Sequence, residues 1–423
     1  MNTARRNARG EASVQRILDA TVQLVGRYGY DNTTIARITK FTQLPASSIY
    51  WYFRDKDELI ASALEYSYTR FARGRRSWQG FDPAVPLEDQ LIGELEPELQ
   101  ASESEAPLRL GIMLALEGSA ARSKIQEPFQ RRRAAALESI RNWWDDVFAA
   151  FDADENTRGP GTWWMSTLTL ALMDGHYISD VVADGPAAVA HRSRIVGLVL
   201  ASAFTALRTG AEPIPTAELP TQPPALADET TGPAALLSVT RRLVAEHGYE
   251  GATIGRICSA TGMQRSSVYW RYKDKDSLIK AAVAEPFLEL LAPLHALGEK
   301  PWTEEVSAAL STTMRGAHDH PDTIKAGLLL KVQQWDPPTA GGLAVAAGTA
   351  GAETALAEWF AEALPPTGRA EAFGEHLAWT VLRLVEGLML RSALGRPAPV
   401  EATTRLFDAM MDGVMNQWPT SVV

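Results

Sequence analysis

Two matching sets of hydrogen-bond donors occur in this chain, 219 residues apart. Each set has two adjacent serines, then a tyrosine and a lysine; the sets are Ser47, Ser48, Tyr50 and Lys56, and Ser266, Ser267, Tyr269 and Lys275. Hydroxyl and ammonium groups of this kind donate hydrogen bonds to phosphate oxygens. One such residue alone is as easily a helix cap or a solvated side chain. The recurrence of the whole set favours a surface that binds phosphate.

The donor sets belong to a longer repeat. Residues 25–60 align without a gap to residues 244–279 and are identical at 17 of 36 positions. Repetition at this density indicates a duplicated domain.

The spacing of apolar and turn residues predicts four helices in each repeat. In the first copy, Ile17, Thr21 and Leu24 form the stripe of an amphipathic helix that ends at residues 29–32. A short helix is expected from near Thr34 and, after a break at residues 41–44, a second from Pro45. A fourth, long helix should begin at Asp55, since Glu58 completes a capping-box spacing.

The motif Gly-Tyr-x-x-x-Thr-Ile-x-x-Ile, followed by Ser-Ser-Ile-Tyr-Trp-Tyr-Phe-x-Asp-Lys-Asp-Glu-Leu-Ile, resembles the DNA-binding domain of TetR-type transcriptional regulators. Residues 248–279 resemble it again, so the resemblance covers about 100 residues of the chain. It implies two helix-turn-helix units that bind double-stranded operator DNA. It also implies helical regulatory domains that dimerise and bind a small effector.

The resemblance, with the approach of a recognition helix to the major groove, gives a set of candidate DNA-binding residues. They are Arg5, Arg6, Thr34, Arg37, Thr42, Gln43, Ala46, Ser47, Ser48, Tyr50, Trp51 and Lys56 in the first copy, and Thr253, Arg256, Gln264, Arg265, Ser266, Ser267, Tyr269, Trp270 and Lys275 in the second.

The two copies differ where bases would be read. The second has Gln264 and Arg265 at the start of its recognition helix, and these side chains can contact adenine and guanine edges in pairs of hydrogen bonds. The first has Pro45 and Ala46 there, and in its turn Gln43 replaces the glycine usual in the family. Arg5 and Arg6 precede only the first copy, as a basic arm or a disordered terminus. We therefore expect an operator with unequal halves.

We predict an all-α fold made of two tandem units, each with a DNA-binding domain and a helical ligand-binding and dimerisation domain. The expected domains are residues 10–57 and 58–209, a proline-rich linker at 210–232, then 233–276 and 277–418. Residues 172–175 and 384–387 match the family's dimerising helices, so the two units should pack together as a dimer within one chain. Such pseudo-dimers could associate further.

Tryptophans cluster in the regulatory regions, where an apolar or aromatic effector and simple core packing are both open interpretations. The candidate pocket residues are Met113, Glu117, Trp164, Leu168, Leu329, Trp379 and Arg383.

The charge distribution and the cysteine count indicate which partners and which compartment to expect. The net charge is −10, yet residues 1–60 carry nine basic against six acidic residues, and residues 233–280 eight against four. The repeats are therefore basic islands on an acidic body. With a single cysteine and no apolar run of about 20 residues, we expect a cytoplasmic protein without membrane association.

We expect no cofactor, no metal site and no catalytic residues. His318 and His320 lack metalloprotease spacing. The favoured function is a ligand-released repressor. The alternatives are a ligand-insensitive architectural or corepressor-recruiting protein and, third, a helical enzyme with vestigial DNA-binding units.

Overall fold

The computed structural model describes residues 2–71, 78, 80–100, 106–117, 123–179, 185–210, 235–295, 298, 302–333, 338–364 and 370–417. Within these ranges the chain is helical and has no strand, which confirms the predicted all-α class. Apart from Gly210, the predicted linker lies outside the described residues, and so do the side chains of Arg5 and Arg6.

Nine helices form the described part of the first half. The first repeat unit contains α1 (Asn2–Asn32), α2 (Ile35–Thr42), α3 (Ala46–Tyr52) and the start of α4 (Lys56–Phe71). The body that follows contains α5 (Leu87–Leu99), α6 (Ala106–Leu116), α7 (Ser123–Ala150), α8 (Glu155–Ile178) and α9 (Pro186–Thr209).

The second half repeats this order. Its repeat unit contains α10 (Leu236–Gly251), α11 (Ile254–Thr261), α12 (Arg265–Arg271) and α13 (Lys275–Ile279). Its body contains α14 (Glu285–Leu291), α15 (Trp302–Asp319), α16 (Pro321–Val332), α17 (Ala340–Ala363), α18 (Ala370–Ala393) and α19 (Val400–Gln417).

The predicted long fourth helix is continuous only in the first unit. In the second, a π-helical turn at Lys280–Ala284 separates α13 from α14. Pro286 has no N–H to donate to the carbonyl of Ala282, and Arg241 Nε donates to that oxygen at 2.8 Å instead. A proline at the second position of α14 thus explains the interruption.

One helix start also differs from the prediction. Helix α3 begins at Ala46, with Pro45 as its N-cap rather than its first residue. In the body of the first half, helix α8 begins at Glu155. There the Asp154 side chain accepts the N–H of Thr157 at 2.8 Å and caps the helix.

The two halves pack together through corresponding helices. Helix α8 lies against α18, α9 against α19, α6 against α16, and α1 against α10. The tightest approach is between α8 and α18. A Cβ atom on Gly175 would lie 1.8 Å from the carbonyl oxygen of Arg383, and one on Gly387 would lie 1.7 Å from that of Ala171. The two glycines therefore let the helix backbones touch.

Helix α9 is part of this packing. It is the one helix in the described part of the chain that is long and apolar enough to cross a membrane. It packs between α5 and α19, and most of its side chains are buried. Its apolar character is explained by the interface that it forms between the halves.

A buried polar network also joins the halves. Glu386 pairs with Lys331 and accepts the hydroxyl hydrogen of Ser179, from the first half, at 3.1 Å. Burial alone would raise the pKa of Glu386, but Arg383, Lys331 and Ser179 together hold it below its ordinary value. The acid stays charged inside the interface, where removing one partner would be strongly destabilising.

Arg109, from the first half, binds backbone carbonyl groups beside this network. Its guanidinium donates to the carbonyl oxygens of Lys331 and Val332, at 2.7 and 2.8 Å, and of Ser179 at 2.9 Å. One cation thus binds the C-terminal ends of α16 and α8, which favour positive charge.

Candidate nucleic-acid interface

The first helix-turn-helix is held from below by a small apolar core. Ile38 of α2 and Ile49 of α3 are fully buried beside Ile17 and Leu59. Thr34 caps α2 by accepting the N–H of Arg37. Because Ile49 is the one buried residue of α3, the rest of this helix faces outward.

The second helix-turn-helix has the same construction. Thr253 caps α11 by accepting the N–H of Arg256, and Val268 is the one buried residue of α12. Its remaining candidates on α12 are exposed: Arg265, Ser266, Ser267, Tyr269 and Trp270, with Gln264 at the N-cap.

The two recognition helices present matching surfaces. Tyr50 is 56% exposed and Tyr269 51%, while Trp51 is 82% exposed and Trp270 83%. Large aromatic side chains are rarely left this open without a partner. Ala46 and Ser47 are exposed beside Tyr50, and Ser48 is half-buried.

The turn between the two helices requires a left-handed backbone in both units. Gly262 has φ 71° and Gln43 has φ 56°. Gln43 is exposed, and its amide donates to the carbonyl of Lys40 at 2.7 Å. The first unit therefore keeps the turn geometry at a cost of about 1 kcal/mol, the penalty of this region for a residue with a Cβ atom.

Thr42 does not reach the surface. It is buried, its hydroxyl donates to the carbonyl of Ile38 at 2.8 Å, and the same oxygen accepts the N–H of Leu44. Thr42 lies four residues after Ile38, so helical periodicity indicates the inward face that it occupies.

The lysines and arginines beside the recognition helices are bonded within or between the units. Lys56 Nζ donates to the carbonyl of Tyr30 at 2.6 Å, and Lys275 Nζ lies 3.6 Å from Glu250. Burial lowers the pKa of Lys275, against the opposing effect of Glu250. These half-buried lysines brace the start of the fourth helix against the end of the first.

Arg37 and Arg256 remain exposed while anchored at the same place in each unit. Arg37 donates to the carbonyl of Asn32 at 3.0 Å, and Arg256 to that of Gly251 at 2.9 Å. Both arginines are exposed, on α2 and on α11.

Arg265 marks the main chemical difference between the units. One of its terminal nitrogens lies 3.3 Å from where a Cβ atom on Gly255 would be. The first unit has Ala36 and Ala46 at the corresponding positions. The second unit therefore holds a guanidinium across α11, and the first has an open apolar surface.

The candidate effector residues are all buried. Met113, Trp164, Leu168 and Leu329 are packed in the main core. Trp379 lies at the interface of the halves, with the ring of His176 at 5.8 Å and the guanidinium of Arg192 at 4.8 Å.

The other two candidate effector residues have polar partners. Arg383 belongs to the buried network, donating to Glu353 at 2.9 Å and to Ser179. Glu117 accepts the N–H of Tyr30 at 3.1 Å and bonds Gln333 of the second half.

Sequence reasoning missed the contacts that join the repeat units. Asp31 of the first unit lies 3.7 Å from Arg256 and 3.8 Å from His247 of the second. Gln333 could have been found by comparing the two halves. It directly follows α16, just as Glu117 directly follows α6.

Comparison with known proteins matches both repeats. The family model of bacterial regulatory proteins of the tetR family matches residues 17–63 and 236–282. The HTH-type transcriptional repressor AcnR of Corynebacterium glutamicum is 44% identical over 50 residues, which are 12% of this chain and 27% of the relative. The HTH-type transcriptional regulator AcrR of Shigella flexneri is 30% identical over 73 residues, 17% of this chain and 34% of the relative.

The chain thus spans about a third or less of the length of these curated relatives, and the similarity is concentrated where the helix-turn-helix geometry lies. Two matches to one family model coincide with two units that have the same caps, turns and exposed recognition helices. The chain carries, in tandem, two units that match the N-terminal unit of the tetR family of bacterial regulatory proteins.

Proposed function

We propose that the chain is a sequence-specific, double-stranded DNA-binding transcriptional regulator and not an enzyme. The observation that carries the proposal is the matched exposure of α3 and α12, each buried at one residue and open at its serines, tyrosine and tryptophan. A recognition helix must present this surface to enter a major groove. The relative named as a transcriptional repressor supports the same interpretation. We propose a cytoplasmic location for the chain.

In this proposal the two halves act as a dimer within one chain. The repeat units are the domains at residues 10–57 and 233–276, and the helical bodies hold them at a defined separation. The contacts of α8 with α18 and of α9 with α19 support this arrangement. Pairing of two such chains is a further level of assembly that native mass spectrometry with DNA would reveal.

The operator should be asymmetric. Arg265 and Gln264 offer groups that read base edges, whereas Ala46 and Pro45 offer an apolar contact. The second unit then contributes most of the sequence discrimination, and the first unit contributes mainly backbone contacts.

The test starts from random duplex DNA selected with the intact chain, followed by footprinting of the selected site. Arg265→Ala should weaken discrimination at the half-site of the second unit by about 1 to 3 kcal/mol. The mirrored variant Ala46→Arg should add discrimination to the other half-site. Equal loss from Arg265→Ala on both halves would contradict the asymmetry, and selection of no sequence would contradict the function.

We further propose that an apolar effector releases the protein from DNA. The aromatic cluster of the first body supports this, since Trp78 and Phe81 meet Trp143 edge to face at 5.4 and 5.7 Å, and aromatic side chains line most small-molecule sites. An effector can release the protein only if it binds the released conformation more tightly than the DNA-binding conformation.

Affinity for the selected site, measured with and without a panel of apolar compounds, tests this mechanism. Release by at least one compound is expected. If every candidate leaves the affinity unchanged, the ligand-insensitive architectural function is the better description.

A further inference from the structure

The two repeat units meet directly, and a single carboxylate lies at their junction. Helices α1 and α10 pack against each other, and near the C-terminal end of each a glycine interrupts the helical backbone. Gly29 has φ 69° and ψ 178°, and Gly248 has φ 69° and ψ 176°. A Cβ atom on either glycine would lie 2.6 Å from Oε1 of Glu117. Glu117 is thus in close contact with both units at once.

The bonds of Glu117 connect three parts of the molecule. Its Oε2 accepts the N–H of Tyr30 in the first unit at 3.1 Å. Its Oε1 accepts from Nε2 of Gln333, in the body of the second half, at 2.9 Å. Glu117 is 2% exposed and Gln333 5%, so water does not screen the pair.

Glu117 and Gln333 occupy corresponding positions in the two halves. Each is the first residue after its helix, α6 or α16, and each backbone N–H still bonds the carbonyl four residues earlier, that of Met113 or of Leu329. Two identical chains meeting in this way would place glutamate against glutamate, which repel when charged. The fused chain places an acceptor against a donor.

A second contact between the units also joins an acid of the first half to side chains of the second. Asp31 of the first unit is close to Arg256 and His247 of the second, while the residue corresponding to Asp31, Glu250, pairs with Lys275 inside its own unit. The junction is therefore chemically asymmetric: the two acids lie in the first half, and the side chains that they meet across the junction lie in the second.

We propose that Glu117 is the positioning residue that sets the separation and orientation of the two repeat units, and through them the half-site spacing that the chain accepts. The effect on half-site spacing rests on the proposed DNA-binding function. The effect on the separation and orientation of the two units does not. Loss of the carboxylate removes the bond to Tyr30 and the bond to Gln333 together, which frees both units at their shared contact.

The separation can be measured without DNA. Nitroxide labels are placed on the full-length Cys258→Ser chain at Lys40→Cys and Ser259→Cys, which are exposed and correspond in the two units. Distance distributions from double electron–electron resonance are then compared among variants. Far-UV circular dichroism and size-exclusion chromatography establish that each variant is folded.

The unmodified junction should give one narrow distribution. Glu117→Ala should broaden or shift it, and Gln333→Glu should do the same by placing two carboxylates face to face. The exchange Glu117→Gln with Gln333→Glu restores one donor opposite one acceptor and should recover the narrow distribution. Glu358→Ala, a change of an exposed glutamate on α17, is the matched control and should leave it unaltered.

A folded Glu117→Ala chain with the unmodified distribution would overturn the proposal. So would an exchange variant as broad as Gln333→Glu alone, because a merely structural role does not predict recovery by the exchanged pair.

The second readout is spacing. One base pair added between half-sites moves them about 3.4 Å apart and rotates them by about 34°. The unmodified chain should bind its selected spacing about tenfold more tightly than a spacing changed by one base pair. For Glu117→Ala this ratio of affinities should be less than about threefold. An unchanged spacing profile in Glu117→Ala counts against the inference. If the unmodified chain selects no DNA, the proposed function fails, and the distance measurement still decides the role of Glu117.

Discussion

Replacing Gly175 with alanine should separate the two halves of the molecule. The new Cβ atom would lie 1.8 Å from the carbonyl oxygen of Arg383, whereas a carbon and an oxygen in contact lie about 3.3 Å apart. The helices α8 and α18 must therefore move apart by roughly 1.5 Å or bend. The obstacle is backbone, which cannot rotate away as a side chain can.

The magnitude follows from two opposing terms. Overpacking of a filled interior costs about 1 to 3 kcal/mol, while a helical Gly→Ala change gains about 0.5 to 1 kcal/mol. The net expectation for Gly175→Ala is a loss of up to about 2.5 kcal/mol in the free energy of unfolding, centred near about 1 kcal/mol. Gly159→Ala is a matched control on the same helix, since no atom lies within 4 Å of its Cβ position, and it should gain about 0.5 to 1 kcal/mol.

Urea unfolding followed by far-UV circular dichroism measures the difference. The two variants should differ by about 2 kcal/mol at similar m-values, with Gly175→Ala the less stable. A Gly175→Ala midpoint at or above that of Gly159→Ala would refute the close approach of α8 and α18. Gly175→Ala combined with Gly387→Ala should cost less than the sum, because the two glycines share one contact.

Two further predictions concern the tyrosines and pH. Tyr50→Phe and Tyr269→Phe should each weaken affinity for the selected DNA by about 1.5 to 3 kcal/mol without changing sequence preference, as measured by fluorescence anisotropy; intact affinity in the double variant would favour the enzyme alternative. Burial, with Arg383 and Arg192 nearby, lowers the pKa of His176 to about 4, whereas the unfolded chain protonates this group near its ordinary value of 6.5. The stability that depends on neutral His176 is therefore complete above pH 6.5 and is lost as pH falls toward 4, by at most about 3 kcal/mol. His176→Phe should flatten unfolding free energy over this interval, and a slope identical to that of the unmodified chain would contradict the assignment.

The local structure of the repeat units could be predicted from the sequence because short-range patterns determine it. Helical spacing identified the inward face of α1, and polar residues before apolar runs identified the helix starts. The difference between Gln43 and Gly262 anticipated the left-handed turn. Thr42 was assigned to the surface although the same periodicity places it beneath Ile38.

Contacts between distant residues could not be predicted in this way. Glu117 was a candidate for an effector pocket, yet it lies between Gly29 and Gly248, which are separated by 219 residues. No local sequence pattern indicates that the C-terminal ends of α6 and α16 lie next to each other. The repetition of the sequence determined that there are two similar DNA-binding units. Only tertiary packing decided how they are joined, because the joining residues come together when α8 crosses α18 and α1 meets α10.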